Sequence, residues 1–173
     1  MFILISLLIF GCKTEKSDDI IGGESMGTLK LTSSAFQNNG MIPSKYTCDG
    51  EDVNPPLEIS GVPSNAKSLL LIVDDPDAPM GTWDHWVMWN IPIVTKIDED
   101  NVPAGAVQGN NSGGANSYQG PCPPSGTHRY MFKLYALDTS LNLSSNSKKA
   151  DVENAMKGHV LDQTVLVGLY KKK

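Results

Sequence analysis

The chain lacks several patterns that mark familiar metal, redox and nucleic-acid sites. Its three cysteines, Cys12, Cys48 and Cys122, form no C-x-x-C pair, which excludes a zinc ribbon and a thioredoxin-type motif. Lysines are scattered except for the last three residues, and the net charge is only −5. A nucleic-acid-binding surface would need a basic patch. No internal repeat and no low-complexity segment occurs, so we expect no nucleic-acid partner and no repeat architecture.

The N-terminus has the pattern of an export signal. Residues 1–11 contain no acid or base, and Phe2–Phe10 is almost continuously apolar. This run is too short to cross a bilayer and is typical of a signal-peptide core. Gly11-Cys12 resembles the lipobox of bacterial lipoproteins, in which the cysteine receives the lipid. We expect residues 1–12 to be a lipoprotein-type signal peptide with Cys12 lipidated.

The rest of the chain has the length of one domain. Residues 13–27 are polar and rich in Asp, Ser and Gly, which predicts a flexible tether. Residues 28–173 then form a single domain. The expected location is outside the cytoplasm, anchored by lipid to a bacterial membrane and facing the periplasm or exterior. Lys13 stands where an aspartate commonly retains lipoproteins in the inner membrane, so the outer membrane is favoured. Cys48 and Cys122 are candidates for a disulfide in an exported chain.

Short apolar runs separated by Gly, Pro, Asn and Asp favour strands over helices. Thr28–Thr32 alternates with period two, and Ser68–Val73 is continuously apolar, as in a strand buried on both faces. The other expected strands are 85–91, 130–137 and 164–170. One helix is predicted over Lys149–Val160, where His159 lies on the apolar stripe and is expected to pack with a backbone partner. These elements indicate a mainly antiparallel β-sandwich with one or two short helices.

Polar residues concentrate where three of these strands begin or end. Asp75 and Asp77 follow the buried strand, between prolines that fix a turn. Strand alternation places His85 on one face with Val87, Trp89 and Ile91. By the same rule His128 and Tyr130 share a face with Phe132 and Leu134. Each strand therefore starts with polar groups and continues with apolar ones, which predicts a polar cavity above the core.

These side chains have several interpretations. Imidazole and phenol donors can bind phosphate or carboxylate, and backbone N–H groups of Gly109–Gly120 could form an anion nest. A structural alternative has Asp75 capping a turn, His85 bonded to Asp75 and Arg129 in an ion pair. A metal centre is disfavoured because the aspartates lack recognised ligand spacing. No cofactor is expected.

Three segments resemble the signature sequences of the phosphatidylethanolamine-binding protein family, also called Raf kinase inhibitor-like proteins. They are Asp75-Pro-Asp-Ala-Pro79, Asp84-His85-Trp86 and Gly126-Thr-His-Arg-Tyr130. The bacterial branch is resembled further by Tyr46–Glu51, Asn54–Leu57, Gly61–Pro63 and Tyr118–Pro124. The resemblance covers about residues 28–170. It implies a two-sheet Greek-key β-sandwich with a small anion pocket at one end.

Carried over by motif position, the resemblance assigns the ligand site. It implies that Asp75 and Asp77 orient the pocket and that His85, His128 and Tyr130 line it. It also implies that Gly120 and Cys122 lie in a loop that contributes backbone to the ligand.

Three function classes follow. The first is a module that binds a small anion or a phospholipid head group. The second is a regulator of a protein partner, as with the kinase and protease inhibitors of the family. The third and least favoured is a hydrolase in which Asp75 and His85 form a general-base pair. We therefore expect a binding protein and not an enzyme.

Overall fold

The structure is a computed structural model that describes residues 27–172. It contains two β-sheets and one short α-helix. The strands are β1 Lys30–Thr32, β2 Gly40–Met41, β3 Leu57–Ser60, β4 Ser68–Asp75, β5 Trp83–Ile91, β6 Lys96–Ile97, β7 Val107–Gln108, β8 His128–Leu137 and β9 Val160–Tyr170. Helix α1 is Lys149–Ala155, and a 3-10 turn covers Ser44–Tyr46.

The smaller sheet has the strand order β1-β3-β6, and the larger has β2-β9-β8-β4-β5-β7. All pairs are antiparallel except β2 with β9, which run parallel. The expected mainly β, two-sheet fold with a short helix is therefore confirmed, with one parallel pair that the sequence did not indicate.

The main core lies between the two sheets, because one cluster of buried side chains draws on both. Leu31 and Leu57 come from the smaller sheet, and Leu71 and Phe132 from the larger. Strand β4 is buried over its whole length, as its continuous apolar run predicts. Its even-numbered side chains, such as Ile72, pack instead in a second cluster that includes Val152 of α1. Each strand face thus has its own partner, which explains the absence of polar alternation.

Asp74 and Asp75 point to opposite faces of the larger sheet. Asp74 is completely buried on the helix-covered face, where it accepts hydrogen bonds from Lys133 and Lys149. Lys149 is the first residue of α1, so this ion pair attaches the helix to the sheet. Asp75 lies on the opposite side, at the end of the main core. Of these two adjacent acids, one therefore serves packing and the other faces the candidate site.

The helix is shorter than predicted, and only Val160 of its expected range belongs to β9. α1 ends at Ala155, and Gly158 adopts a left-handed conformation with φ of +79°. This conformation reverses the chain before Val160 begins β9. His159 is about half exposed, and its Nδ1 lies 2.8 Å from Asp138 Oδ1. The prediction of a packed His159 with a backbone partner is therefore wrong.

The expected signal peptide with Cys12, and residues 13–26 of the expected tether, lie outside the described residues. Within residues 27–172, no helix is long and apolar enough to cross a membrane.

Candidate functional site

Asp75 organises the end of strand β4 through both of its carboxylate oxygens. Oδ1 accepts a hydrogen bond from the backbone N–H of Asp77 at 2.8 Å, which closes the turn after the strand. Oδ2 lies 2.7 Å from His128 Nδ1, at the start of β8. Both side chains are buried. Because a carboxylate only accepts, His128 Nδ1 carries a proton and donates it.

Asp77 supports the site from outside. Its carboxylate accepts from Arg129 Nε at 2.9 Å, Nη2 at 2.6 Å and the backbone N–H at 3.0 Å. The hydrogen bonds from Arg129 are the main cause that lowers the Asp77 pKa to about 2, and burial opposes them. This pair ties the turn after β4 to β8 next to His128. The structural alternative therefore correctly predicted an ion pair for Arg129. Asp77 supports the turn beside the cavity and does not line the cavity itself.

His85 faces the core side of its sheet because of a β-bulge. Val73 pairs with Trp86 and Asp74 pairs with Asp84, so His85 is an extra residue in β5. Strict alternation would place His85 on the helix-covered face with Val87 and Trp89, and the bulge turns its side chain to the core side. Val87 and Trp89 indeed pack in the helix-side cluster. The predicted shared face of His85, Val87, Trp89 and Ile91 is therefore wrong.

The His85 imidazole is held by the backbone of Gln119. Nδ1 lies 2.6 Å from the Gln119 carbonyl oxygen, and the ring meets the Tyr130 ring edge to face at 5.1 Å between centroids. Burial lowers the pKa of His85, while the Gln119 hydrogen bond and the charge of Asp75 oppose the shift. His85 is not hydrogen-bonded to Asp75. The Asp75 oxygen that is not used in the turn, Oδ2, accepts a hydrogen bond from His128 instead. The Asp75–His85 hydrogen bond of the structural alternative, which the hydrolase hypothesis also required, is therefore wrong.

Tyr130 presents a buried hydroxyl beside the two imidazoles. The residue is only 1% exposed, and its Oη makes no hydrogen bond within the described part of the chain. The Cys122 backbone lies close enough to favour the phenolate but does not meet hydrogen-bond geometry. Burial, followed by the charge of Asp75, raises the Tyr130 pKa well above its ordinary value. The hydroxyl therefore stays protonated and can donate.

Residues 119–124 form the wall opposite β8. Cys122 is joined to Cys48 by a disulfide, and Cys48 N–H donates to the Pro121 carbonyl. The N–H of Gly120 donates to Asp52 Oδ1 at 2.6 Å, so it points away from an occupant of the cavity. A Cβ on Gly120 would lie 2.4 Å from that same oxygen. Only glycine allows this close approach.

The predicted anion nest over Gly109–Gly120 does not form. The N–H groups of residues 109, 110, 111, 112, 114 and 119 donate to backbone carbonyls, and that of Ala115 to the side chain of Asn111. These donors bind acceptors of the chain itself, and only Gln119 and Gly120 of this segment line the cavity. The resemblance implied that the backbone of Gly120 contributes to the ligand, but the Gly120 N–H already donates to Asp52.

These groups enclose a cavity of about 210 Å³. Its polar lining is Asp75, His85, Gln119, His128 and Tyr130; its other lining residues are Ala78, Pro79, Trp83, Gly120, Cys122, Pro123 and Pro124. Six of the seven sequence-predicted ligand residues thus line one cavity, and Asp77 alone is not among them. Sequence reasoning missed Gln119, Trp83 and Asp52. Gln119 adjoins the singled-out Gly120, whereas Trp83 and Asp52 carried no signal.

Among residues 27–172, no group of three or more His, Cys, Asp or Glu side chains is arranged to hold a metal ion. The cavity offers instead a hydroxyl donor, two imidazoles whose Nε2 atoms are not engaged by the described residues, and apolar walls. Such an arrangement suits a small polar ligand with oxygen atoms.

A family model described as phosphatidylethanolamine-binding protein matches residues 32–171. The chain belongs to this family. A UPF0098 protein of Pyrococcus horikoshii is 50% identical over 180 residues, covering 99% of this chain and 88% of that protein. A UPF0098 protein of Methanothermobacter thermautotrophicus is 54% identical over 150 residues, covering 83% of this chain and 99% of that protein.

Solved structures of the same family share the fold. A homolog of phosphatidylethanolamine-binding protein from Chlamydia trachomatis superposes with a TM-score of 0.82 at 42% identity, covering 85% of this chain and 99% of that one. An Escherichia coli protein described as a new member of the mammalian phosphatidylethanolamine-binding protein family superposes with a TM-score of 0.80 at 33% identity. The match covers 85% of this chain and 100% of that one. The relatives include archaeal as well as bacterial proteins, so family membership does not single out the bacterial branch.

Proposed function

We propose that the cavity binds a small oxyanion, such as the phosphate of a lipid head group or of a metabolite. One observation carries the proposal: the buried Tyr130 hydroxyl has no partner within the described residues, and Tyr130 lines the cavity together with His85 and His128. An unpaired buried hydroxyl costs about 1–3 kcal/mol. An occupant that accepts its hydrogen bond removes this cost, and phosphate oxygens are strong acceptors.

The size of the cavity fits this class of ligand. Its volume of about 210 Å³ holds several waters, since a water molecule occupies about 30 Å³ of liquid. A phosphate group with a short substituent fits such a space, whereas a whole lipid does not. The acyl chains of a lipid ligand would therefore remain outside.

We propose binding without turnover. Asp75 is bonded to His128, so the Asp75–His85 base pair of the hydrolase hypothesis is not formed, and the Cys122 thiol is consumed in the disulfide. Residues 23–27 match the letters G-x-S-x-G, but a nucleophile elbow places its serine between a strand and a helix. Here the first described element after the motif is β1, a strand that starts at Lys30. Hydrolysis of p-nitrophenyl phosphate or acetate that His85→Ala abolishes would contradict the proposal.

A regulatory contact with a protein partner is the second candidate. Two exposed apolar side chains support it: Trp83, which lines the cavity, is 38% exposed, and Met80, which follows the lining residue Pro79 in the chain, is 100% exposed. Exposed apolar groups beside a polar pocket suit contact with another macromolecule. A pull-down that depends on Met80, with phosphate binding unchanged in Met80→Ser, would favour this role.

The N-terminal pattern supports a second part of the proposal, a lipid anchor at Cys12. The anchor would place the domain outside the cytoplasm at a membrane surface, with the outer membrane favoured by Lys13. Cys12→Ser is expected to release the protein from the membrane fraction. Membrane association that survives this substitution would contradict the anchor and leave the anion site unaffected.

Nuclear magnetic resonance of the histidine rings tests the anion site directly. The chain has three histidines; His85 and His128 line the cavity, while His159 contacts Asp138 elsewhere and serves as an internal control. Millimolar phosphate or phosphoethanolamine is expected to shift the resonances of the first two rings and spare the third. His85→Ala is expected to abolish saturation. Equal shifts of all three rings, or none, would reject a specific site.

A further inference from the structure

Two hydrogen bonds determine which ring nitrogen of each cavity histidine carries a proton. His85 Nδ1 lies 2.6 Å from the Gln119 carbonyl, and His128 Nδ1 lies 2.7 Å from Asp75 Oδ2. Both partners only accept, so both Nδ1 atoms donate. When such a ring is neutral, its other nitrogen has no proton. The Nε2 of neutral His85 is therefore an acceptor. A fully ionised anion also offers only acceptors, so the two can form a hydrogen bond only if a proton is added to one of them.

The surroundings of His85 favour this neutral form. Burial is the largest influence and lowers its pKa. The titratable groups that face the ring are Asp75 of β4, Asp52 before β3, and His128 and Tyr130 of β8, while Asp74 acts on it from the other face of the sheet.

The three carboxylates near His85 oppose burial but are already engaged. Asp75 bonds His128, Asp52 bonds the Gly120 N–H, and Asp74 pairs with two lysines on the other face of the sheet. None of them is hydrogen-bonded to the ring, and burial outweighs both their charges and the Gln119 hydrogen bond, which is the largest opposing influence.

We infer that His85 is a specificity-determining residue, which makes the site take its anion together with one proton. This inference rests on the proposed oxyanion site and deepens it. A phosphomonoester that carries a P–OH donates that hydrogen to Nε2, while another oxygen accepts from Tyr130. A fully ionised phosphomonoester binds only as one proton is taken from solvent onto Nε2 or onto the ligand. The N–H or O–H bond that forms is balanced by the bond to hydrogen that breaks in the hydronium or buffer acid, and no bond between heavier atoms changes.

Methyl phosphate and methyl sulfate form a matched pair of probes. As monoanions they have the same shape and charge, but only the phosphate carries an acidic hydrogen. The second pKa of a phosphomonoester is about 6, so both probes are compared near that pH by calorimetry on the full chain. Methyl sulfate is expected to bind about tenfold more weakly, as for the loss of one hydrogen bond to a charged group.

Proton uptake is measured in the same experiment with buffers of different ionisation enthalpy. At about pH 8 methyl phosphate is expected to bind with uptake of about one proton, and its affinity to fall about tenfold per pH unit. His85→Gln offers an amide that can donate without titrating, so uptake is expected to vanish. His159→Gln, which alters a ring outside the cavity, is the matched control and is expected to retain uptake. In the unaltered chain, the nitrogen resonances of His85 report the state of Nε2 without any substitution.

The outcomes separate this inference from the anion site itself. Equal affinities for the two probes without proton uptake would overturn the role of His85 and leave the oxyanion site standing. Uptake that persists in His85→Gln would assign the proton to another group and also overturn it. Failure of both probes to bind at millimolar concentration would reject the proposed function, and this inference with it.

Discussion

Asp75 Oδ2 and His128 Nδ1 lie 2.7 Å apart although 53 positions separate the two residues in the sequence. This contact joins the end of β4 to the start of β8 and determines the tautomer of a cavity imidazole. It also removes Asp75 from the role of base toward His85. The acid thus positions one side of the cavity, which leaves Tyr130 and the Nε2 atoms to meet a ligand.

Tyr130→Phe is expected to separate binding from stability. The hydroxyl makes no hydrogen bond within residues 27–172, so its removal should leave the free energy of unfolding unchanged or raise it by up to about 1 kcal/mol. Phosphate affinity should fall about tenfold. Urea unfolding and calorimetry measure the two quantities.

Tyr170→Phe is the control for this substitution. The Tyr170 hydroxyl donates to Asp49 Oδ2 at 2.6 Å, so this variant should lose about 1 kcal/mol of stability and keep its affinity. Loss of stability without loss of affinity in Tyr130→Phe would contradict the role given to its hydroxyl.

Asp75→Asn should destabilise the protein more than Asp77→Asn. The Asp75–His128 pair is buried, with side chains 5% and 9% exposed, and weakening a buried polar pair costs about 1–3 kcal/mol. The Asp77–Arg129 pair is more exposed and should be worth less than about 1 kcal/mol. Urea unfolding of both variants at neutral pH measures the order, and a larger loss in Asp77→Asn would contradict it.

The contribution of Asp77 should depend on pH with a definite sign. Its pKa is lowered from 3.8 to about 2 in the folded protein, so the folded state favours the carboxylate. The stabilisation is complete above the unfolded value and is lost as the pH falls toward about 2. The difference in unfolding free energy between the natural chain and Asp77→Asn should shrink over this range. A difference that stays constant between about pH 5 and 2.5 would argue against a charged pair.

The Cys48–Cys122 disulfide should contribute strongly to stability. It closes a loop with a sequence separation of 74, and removal of such a bond costs about 2–5 kcal/mol. Cys48→Ala/Cys122→Ala is expected to unfold at lower urea concentration, and the reduced natural chain should behave alike. The cavity wall at Cys122 should also loosen, which predicts weaker phosphate binding in the same variant. Unfolding midpoints that match the oxidised chain would contradict this contribution.

The face of His85 shows where sequence reasoning failed. Alternation correctly placed His128, Tyr130, Phe132 and Leu134 together, because β8 is regular over that stretch and all four are buried. The same rule failed in β5, where the pairing shifts by one residue between Val73 and Asp74. A bulge depends on the partner strand and leaves no signal in the period of its own strand. His85 was predicted as a site residue because of its motif, and not because of its position in the strand alternation.

The glycine-rich segment Gly109–Gly120 shows a second limit of prediction from the sequence. Gln119 and Gly120 of this segment line the cavity, together with Cys122, Pro123 and Pro124. The direction of its N–H groups followed from acceptors elsewhere in the chain, such as Asp52 for Gly120. Every buried N–H needs an acceptor, and only the folded chain determines which one is near.

The amino-acid sequence alone determined the strand-rich character, the fully buried β4 and the short segments that supply the site. Local properties suffice for these, because apolar periodicity and proline or glycine turns act within a few residues. Tertiary structure decided that His128 and not His85 pairs with Asp75, that His85 turns inward at a bulge, and that Gly120 donates away from the cavity. Each of these results depends on which distant partner lies within about 3 Å, because hydrogen bonds are short-ranged and directional.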